Sequence, residues 1–146
     1  MSELSLQLGD WATLGAEAYA LRRAVFVIEQ GVPPELEQDE FDILSLHAVL
    51  RDEAGTVLAT GRLLPDGHIG RVAVRADCRG RGLGQQLMRG LIEAARARGH
   101  AEVVLHAQCS AEGFYAALGF EVCSEVFMEA GIAHCAMRYA LQVQRG

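Results

Sequence analysis

Residues 71–87, RVAVRADCRGRGLGQQL, constrain the fold more than any other part of the chain. The stretch begins with the apolar alternation of a strand. From Leu83 onward, Leu83, Leu87, Leu91 and Ala94–Ala95 recur at the spacing of one helical face. Between these two patterns lie Arg79, Gly80, Arg81, Gly82 and Gly84. A strand-to-helix turn needs one glycine or two. Three within five residues, with two guanidiniums among them, point to an anion approaching the backbone. The first N–H groups of a helix have no intrahelical partner, and the aligned peptide dipoles add about half a positive charge there. Glycines let a phosphate reach those donors because no Cβ intervenes, and arginines can add charge-assisted contacts. The segment therefore has the parts of a diphosphate cradle.

Two common phosphate loops are excluded. The chain has no lysine to complete G-x-x-x-x-G-K-[ST], and the dinucleotide fingerprint would need glycine where Gln85 stands. Strand 68–74, helix 82–98 (stopped by Gly99) and strand 102–107 form a βαβ unit, which predicts that its two strands are parallel neighbours. Upstream, residues 3–8 alternate as a first strand, and Asp10 is placed to cap a helix running to about residue 28. Trp11, Leu14, Ala18, Leu21 and Val25 fall near helical spacing on it. Strands 44–51 and 56–64 are joined by the hairpin signal Asp52–Gly55. Downstream come a short helix over 111–118, ending at Gly119, and strands 120–127 and 134–142 joined by a turn at Gly131. The order predicts an α/β (α+β) architecture, a mixed central sheet of about six to seven strands flanked by helices, in one domain spanning 1–146.

Charge narrows the partners. The formal net charge is 13 − 19 = −6, which argues against a nucleic acid. All thirteen basic residues are arginine, and seven of them lie between 71 and 98. Segment 29–42, EQGVPPELEQDEFD, holds six carboxylates and no basic residue, and reads as an acidic loop with a helical turn at most. One half of the chain suits an anion and the other a cationic ligand. No apolar run is long enough to span a membrane, and the N-terminus lacks the basic start and apolar block of a signal peptide, so the expectation is a cytoplasmic protein with no membrane partner. Cys78, Cys109, Cys123 and Cys135 show no paired spacing and read as reduced thiols; Cys78 and Cys109, flanking the motifs, are the two to watch for reactivity. His68, His100 and His106 are scattered without ligand spacing, so no metal is expected.

Arg79-x-x-Gly82-x-Gly84 after an apolar strand resembles the R/Q-x-x-G-x-G/A motif of the GNAT superfamily of N-acetyltransferases. Gln108-x-x-Ala111-x-x-x-Tyr115-x-x-x-Gly119-Phe120 is similar to the family's downstream signature, with Gln108 in place of asparagine. RRAVFVIEQGV (22–32), DEFD (39–42), His47 and GIAHCAMRY (131–139) resemble its bacterial ElaA/YjcF-like subgroup. The resemblance implies the acyl-CoA acyltransferase fold, with strands 69–74 and 102–107 splayed beyond a bulge. It also implies transfer of an acetyl group from acetyl-CoA to a primary amine, on a small molecule or peptide, by direct attack. Ala73 and Val74 would offer backbone groups to the pantetheine arm. Arg79, Gly80, Arg81, Gly82, Leu83 and Gly84 would hold the diphosphate, and Gln108 and Tyr115 would also face the cofactor. Tyr115 would be the general acid; the competing reading of it is a core tyrosine beside Phe114. Strand HIGRVAV offers no carboxylate to act as base, leaving Glu29, Glu40, Asp42, His47 and His134, with His134 and Glu29 ranked first. The acidic 29–42 segment would attract a cationic acceptor. Strands near the C-terminus are a common route to homodimers in this superfamily. Two alternatives remain open: a non-catalytic acyl-CoA-sensing module, and an acyl-homoserine-lactone-synthase-like enzyme, for which Arg22–Phe26 and Asp39–Asp42 offer the matching segments.

Overall fold

A computed structural model describes residues 4–141; the outer ends predicted for the first and last strands, at 3 and 142, lie outside them. Asp10 caps α1 (Trp11–Arg22) as expected, its carboxylate accepting from the Thr13 amide at 2.9 Å. Leu14, Ala18 and Leu21 are buried along it. The helix does not then continue regularly. Residues Arg23–Glu29 wind as a π-helix, a rare form that re-phases the side chains at its end.

Strands β1 (Ser5–Gly9), β2 (Leu46–Arg51), β3 (Val57–Leu63) and β4 (Ile69–Val74) make one antiparallel sheet in chain order. A second sheet has β5 (Glu102–Gln108) against β8 (Ile132–Ala140), which also pairs with the short β6 (Glu121–Val122) and β7 (Phe127–Glu129). The single strand expected over 120–127 is thus two. The break has a local cause: Ser124 Oγ accepts from the Ala136 amide at 2.8 Å, replacing a ladder carbonyl with a side chain.

β4 and β5 are parallel neighbours only where they begin. One bridge pairs His68 with Val104, and the Val104 amide donates to Gly67 O at 3.2 Å; beyond it the strands part. Instead of one continuous sheet there are two four-stranded sheets joined at that bridge. The parting begins at a bulge. Thr60 and Arg62 of β3 pair with Ala73 and Gly70, so Gly61 alone faces Arg71 and Val72. The extra residue bends β4, and Arg71 takes a φ of 51°. That conformation costs an ordinary residue about 1–2 kcal/mol. It is held by the Arg71 guanidinium, which donates to Glu37 O (2.9 Å), Leu36 O (3.2 Å) and Asp39 Oδ2 (3.2 Å).

α4 (Leu83–Ala97) covers the joint between the sheets. Its buried residues Leu83, Leu87, Met88, Leu91, Ile92 and Ala95 follow the helical period and pack into a core with Leu50, Leu58, Val103, Leu105 and Met137. Each large side chain among them contributes about 1.5–3 kcal/mol on burial. After β5, the helical segment expected at 111–118 is α5 (Glu112–Ala117), preceded by a 3₁₀ turn.

The acidic segment is not a solvated loop. It contains two single-turn helices, α2 (Pro34–Glu37) and α3 (Phe41–Leu44), and three of its six carboxylates, Glu37, Asp39 and Asp42, turn toward arginines, while Glu29, Glu35 and Glu40 stay exposed. Arg22, 1% exposed, donates to both Asp42 oxygens (2.7 and 3.1 Å) and pairs with the Glu37 carboxylate. Arg62 binds both Asp39 oxygens (2.6 and 2.9 Å) and Asp42 Oδ1 (2.9 Å). Glu37, Asp39 and Asp42 therefore meet Arg22, Arg62 and Arg71. The cation-attracting surface expected from them is a neutralised internal cluster.

Candidate active site

The divergence of β4 and β5 opens a cleft of about 1180 Å³. β4 pairs with β3 on one side and β5 with β8 on the other, so past the His68–Val104 bridge the two edges facing each other carry unpaired backbone N–H and C=O groups. The cleft runs to the start of α4. Gly82 caps that helix in the left-handed region (φ 78°) with no side chain capping it, which leaves the first-turn amides open to a ligand. Gly84 lets α4 and α5 pack closely: a Cβ there would lie 3.0 Å from Phe114 Cζ, and that ring would have to give way by a few tenths of an ångström.

Ala73, Val74, Gly80, Gly82, Leu83 and Gly84 line the cleft, as do Arg79, Gln108, Tyr115 and His134; Arg81 and Glu29 do not. Arg81 stands exposed at the loop. Arg79 is already engaged: Nε donates to Val74 O (3.1 Å), and its two terminal nitrogens grip Glu29 (2.6 and 2.8 Å). The neighbouring Gln30 accepts from Gln108 Nε2 at 2.9 Å. Two consecutive residues at the end of the π-helix thus reach the loop after β4 and the end of β5. The hydrogen bonds from Arg79 hold the Glu29 carboxyl below the usual carboxylate range, which makes it a weak base.

Tyr115 projects from α5 into an aromatic stack, edge-on to Phe114 (4.9 Å between centroids) and Phe120 (5.9 Å). Burial pushes its phenol up to about 12. His134, buried on β8, is oriented by Ile132 O, 2.7 Å from Nδ1. The carbonyl can only accept, so Nδ1 carries a proton and neutral His134 has its lone pair on Nε2. That nitrogen is 3.5 Å from Glu129 Oε2. The Phe127 ring stacks along the imidazole at 6.1 Å.

The other candidates are accounted for elsewhere. His47 is 1% exposed and donates from Nε2 to Asp42 O at 2.8 Å, a core histidine whose pKa is lowered by burial. Asp42 is held by two arginines, and Glu40 is exposed away from the cleft. All four cysteines are free thiols. Cys78 lines the cleft, but burial, and then the adjacent Asp77 carboxylate, raise its thiol and disfavour the reactive thiolate. Among the described residues no His, Cys, Asp and Glu cluster is arranged to hold a metal ion, and no helix is long and apolar enough to cross a membrane.

Sequence reasoning missed Arg71 and Glu129. Arg71 entered only as one of a run of arginines, and nothing in a sequence marks the extra residue of a bulge. Glu129 stands just before the Gly131 turn; its partners come from β5 and β8.

Two antiparallel sheets parted along a bulged strand, with a glycine-opened helix at the mouth of the gap, define an acyl-CoA N-acyltransferase fold. Comparison with known proteins agrees. The acetyltransferase (GNAT) domain model matches residues 15–141. YjcF of Bacillus subtilis, named as an N-acetyltransferase, is 38% identical over 124 residues, 83% of this chain and 89% of its own. The crystal structure of an acyl-CoA N-acyltransferase from Pseudomonas aeruginosa matches with a TM-score of 0.83 and 34% identity, over 94% of this chain and 100% of that one. That of Escherichia coli ElaA matches with a TM-score of 0.82 and 30% identity, over 93% and 99%. The chain belongs to the GNAT acetyltransferase family, and its relatives include the ElaA- and YjcF-like proteins.

Proposed function

We propose that the protein transfers the acetyl group of acetyl-CoA to a primary amine by direct attack. The observation that carries this is the pair of unpartnered strand edges leading to an uncapped helix start. An extended pantetheine arm has amides at suitable intervals to bond those edges as an added strand. Ala73 and Val74 sit where its last amide would arrive, and the amides of Gly82, Leu83 and Gly84, with Arg79 and Arg81, suit the diphosphate. For Arg79 to contribute, it must leave Glu29.

The amine arrives protonated. His134 Nε2 takes a proton from R–NH₃⁺; the freed nitrogen attacks the thioester carbonyl; the C–N bond forms, the C–S bond breaks, and the Tyr115 hydroxyl supplies the proton that leaves coenzyme A as a thiol, while the second proton shed by the nitrogen as the amide forms restores that hydroxyl, so the one net proton stays on His134. A phenol near 12 facing a thiol of about 8.5 would make full transfer uphill by about 5 kcal/mol. The apolar surroundings that raise the phenol raise a buried thiol as well, since both ionised forms are anions, and this narrows the gap. The acceptor is a small-molecule or peptide amine, and buried carboxylates already paired with arginine do not recruit it. Calorimetric titration with acetyl-CoA, followed by thiol release across an amine panel, tests the proposal. Micromolar or tighter binding with amine-dependent release is expected, and no heat on titration would overturn it.

A further inference from the structure

Glu129 ends β7, just before a turn in which Ala130 (φ 51°) and Gly131 (φ 77°) are both left-handed, as a two-residue type I′ hairpin requires. That turn fixes the register, setting Glu129 opposite Ile132 and Phe127 opposite His134. Paired residues share a sheet face, and residues two apart share it too. Phe127, Glu129 and His134 therefore stand on one face, joined from β5 by His106 and Gln108, the latter opposite His134. The Glu129 carboxylate spans two imidazoles: Oε1 lies 3.0 Å from His106 Nδ1, and Oε2 lies 3.5 Å from His134 Nε2. Phe127 stacks on His134 and meets His106 edge-on at 5.1 Å, holding both rings in place.

Glu129 differs from the other carboxylates lining the cleft. Glu37 and Asp39 are matched by guanidiniums, and Asp66 pairs with His68, whose ring stands edge-on to His106 at 6.0 Å. Among the described residues, the groups paired with Glu129 are two histidines, and its side chain remains 46% exposed. With those rings neutral its charge is uncompensated, within reach of the nitrogen that would act as base. The same cleft is lined from segment 34–44 by Leu36 and Phe41, 53% and 43% exposed.

We propose that Glu129 is the specificity-determining residue of the acceptor subsite: its carboxylate receives a primary ammonium beside His134, and Leu36 and Phe41 receive an apolar body attached to it. The inference rests on the acetyl-transfer reading of the cleft and adds the substrate class, a cationic primary amine with an apolar portion. In the step itself, the ammonium proton passes to His134 Nε2, and the resulting imidazolium remains beside the Glu129 carboxylate. The neutral amine then attacks the thioester carbonyl; as the C–N bond forms and the C–S bond breaks, Tyr115 protonates the departing thiolate and is restored by the surplus proton of the new amide nitrogen. Anionic acceptors are excluded by the same carboxylate.

The test is NMR of the His106 and His134 ring resonances in the full chain, with phenethylammonium as probe, its anionic counterpart 3-phenylpropionate as control, and each run with and without saturating coenzyme A. Phenethylammonium is expected to shift both rings saturably and 3-phenylpropionate to shift neither. Glu129→Gln should weaken phenethylammonium by about tenfold or more, the range for losing a charge-assisted contact, while Glu129→Asp keeps most of the affinity. Absence of a response to phenethylammonium, an equal response to 3-phenylpropionate, or unchanged affinity in Glu129→Gln would each overturn the proposal. Because the measurement needs no turnover, a protein that binds the amine but never acetyl-CoA would sink the proposed reaction and leave this subsite standing.

Discussion

Desolvation acts on Tyr115 in one direction, since the phenolate is the form that burial penalises. With its pKa near 12 the residue is a proton donor throughout the neutral range. Tyr115→Phe should therefore lower kcat by about a hundredfold or more, as expected for losing a general acid, and leave the acetyl-CoA Kd unchanged. An unaltered kcat would return Tyr115 to the aromatic core it shares with Phe114 and Phe120. Glu29 yields a prediction of the opposite sense. In the proposed reading its two hydrogen bonds to Arg79 would compete with a bound diphosphate for the same guanidinium, and an exposed pair of this kind is worth about 0.2–1 kcal/mol. Glu29→Gln should bind acetyl-CoA about two- to fivefold tighter by calorimetry. Weaker binding would mean that Glu29 orients Arg79 for the ligand.

At the level of elements, the start of α4 carries the most consequence. Gly82→Ala would put a Cβ on a residue at φ 78°, costing about 1 kcal/mol and lowering Tm by about 2–4 °C in a domain of this size. It should also weaken acetyl-CoA, because relief of the strain tilts the first-turn amides; a stability loss with unchanged binding would detach the cradle from the ligand. This element was legible because everything that makes it is local: Leu83, Leu87 and Leu91 at helical spacing, with glycines where the backbone must turn. The placing of Tyr115 and His134 at the cleft was legible for the same reason, each being embedded in a short motif. What was not legible depends on distant partners. The bulge at Arg71 exists only relative to Thr60 and Arg62 on β3, and the break after β6 only because Ser124 meets Ala136. The π-helical turn preserves the spacing of Leu21 and Val25 that suggested a regular helix. The acidic run looked solvent-facing because its arginines sit at 22, 62 and 71, far along the chain and on three separate elements.

Those arginines make the whole molecule sensitive to charge. Arg22 lies between Glu37 and Asp42 with all three side chains buried, and removing it alone leaves the buried Glu37 carboxylate without its cation and Asp42 with Arg62 only. Arg22→Met should cost about 3–5 kcal/mol, measured by urea denaturation. The same cluster sets the pH dependence, and its sign can be worked out group by group. Burial alone would raise the Asp39 and Asp42 carboxyls, but hydrogen bonds and charge from arginine outweigh it, and both end below their ordinary values. Their stabilisation is complete above the unfolded value of about 4 and is lost as pH falls through the lower folded values. His47 acts earlier. Burial lowers its pKa, so below about 6.5 the unfolded chain takes up a proton that the folded chain refuses, and stability falls as pH drops. Tm should hence decline in two stages, a shallow one beginning near pH 6.5 and a steeper one below about 4. In His47→Gln the amide can still donate to Asp42 O but cannot titrate, so calorimetry across pH should show the first stage flattened and the second intact. An unchanged slope between those two values would assign the early loss to another group. Because Asp39 also holds Arg71, whose guanidinium fixes the bulge that parts β4 from β5, the second stage should close on the active cleft too: acetyl-CoA affinity is expected to fail at the pH where the cluster protonates, before the core of α4 unfolds.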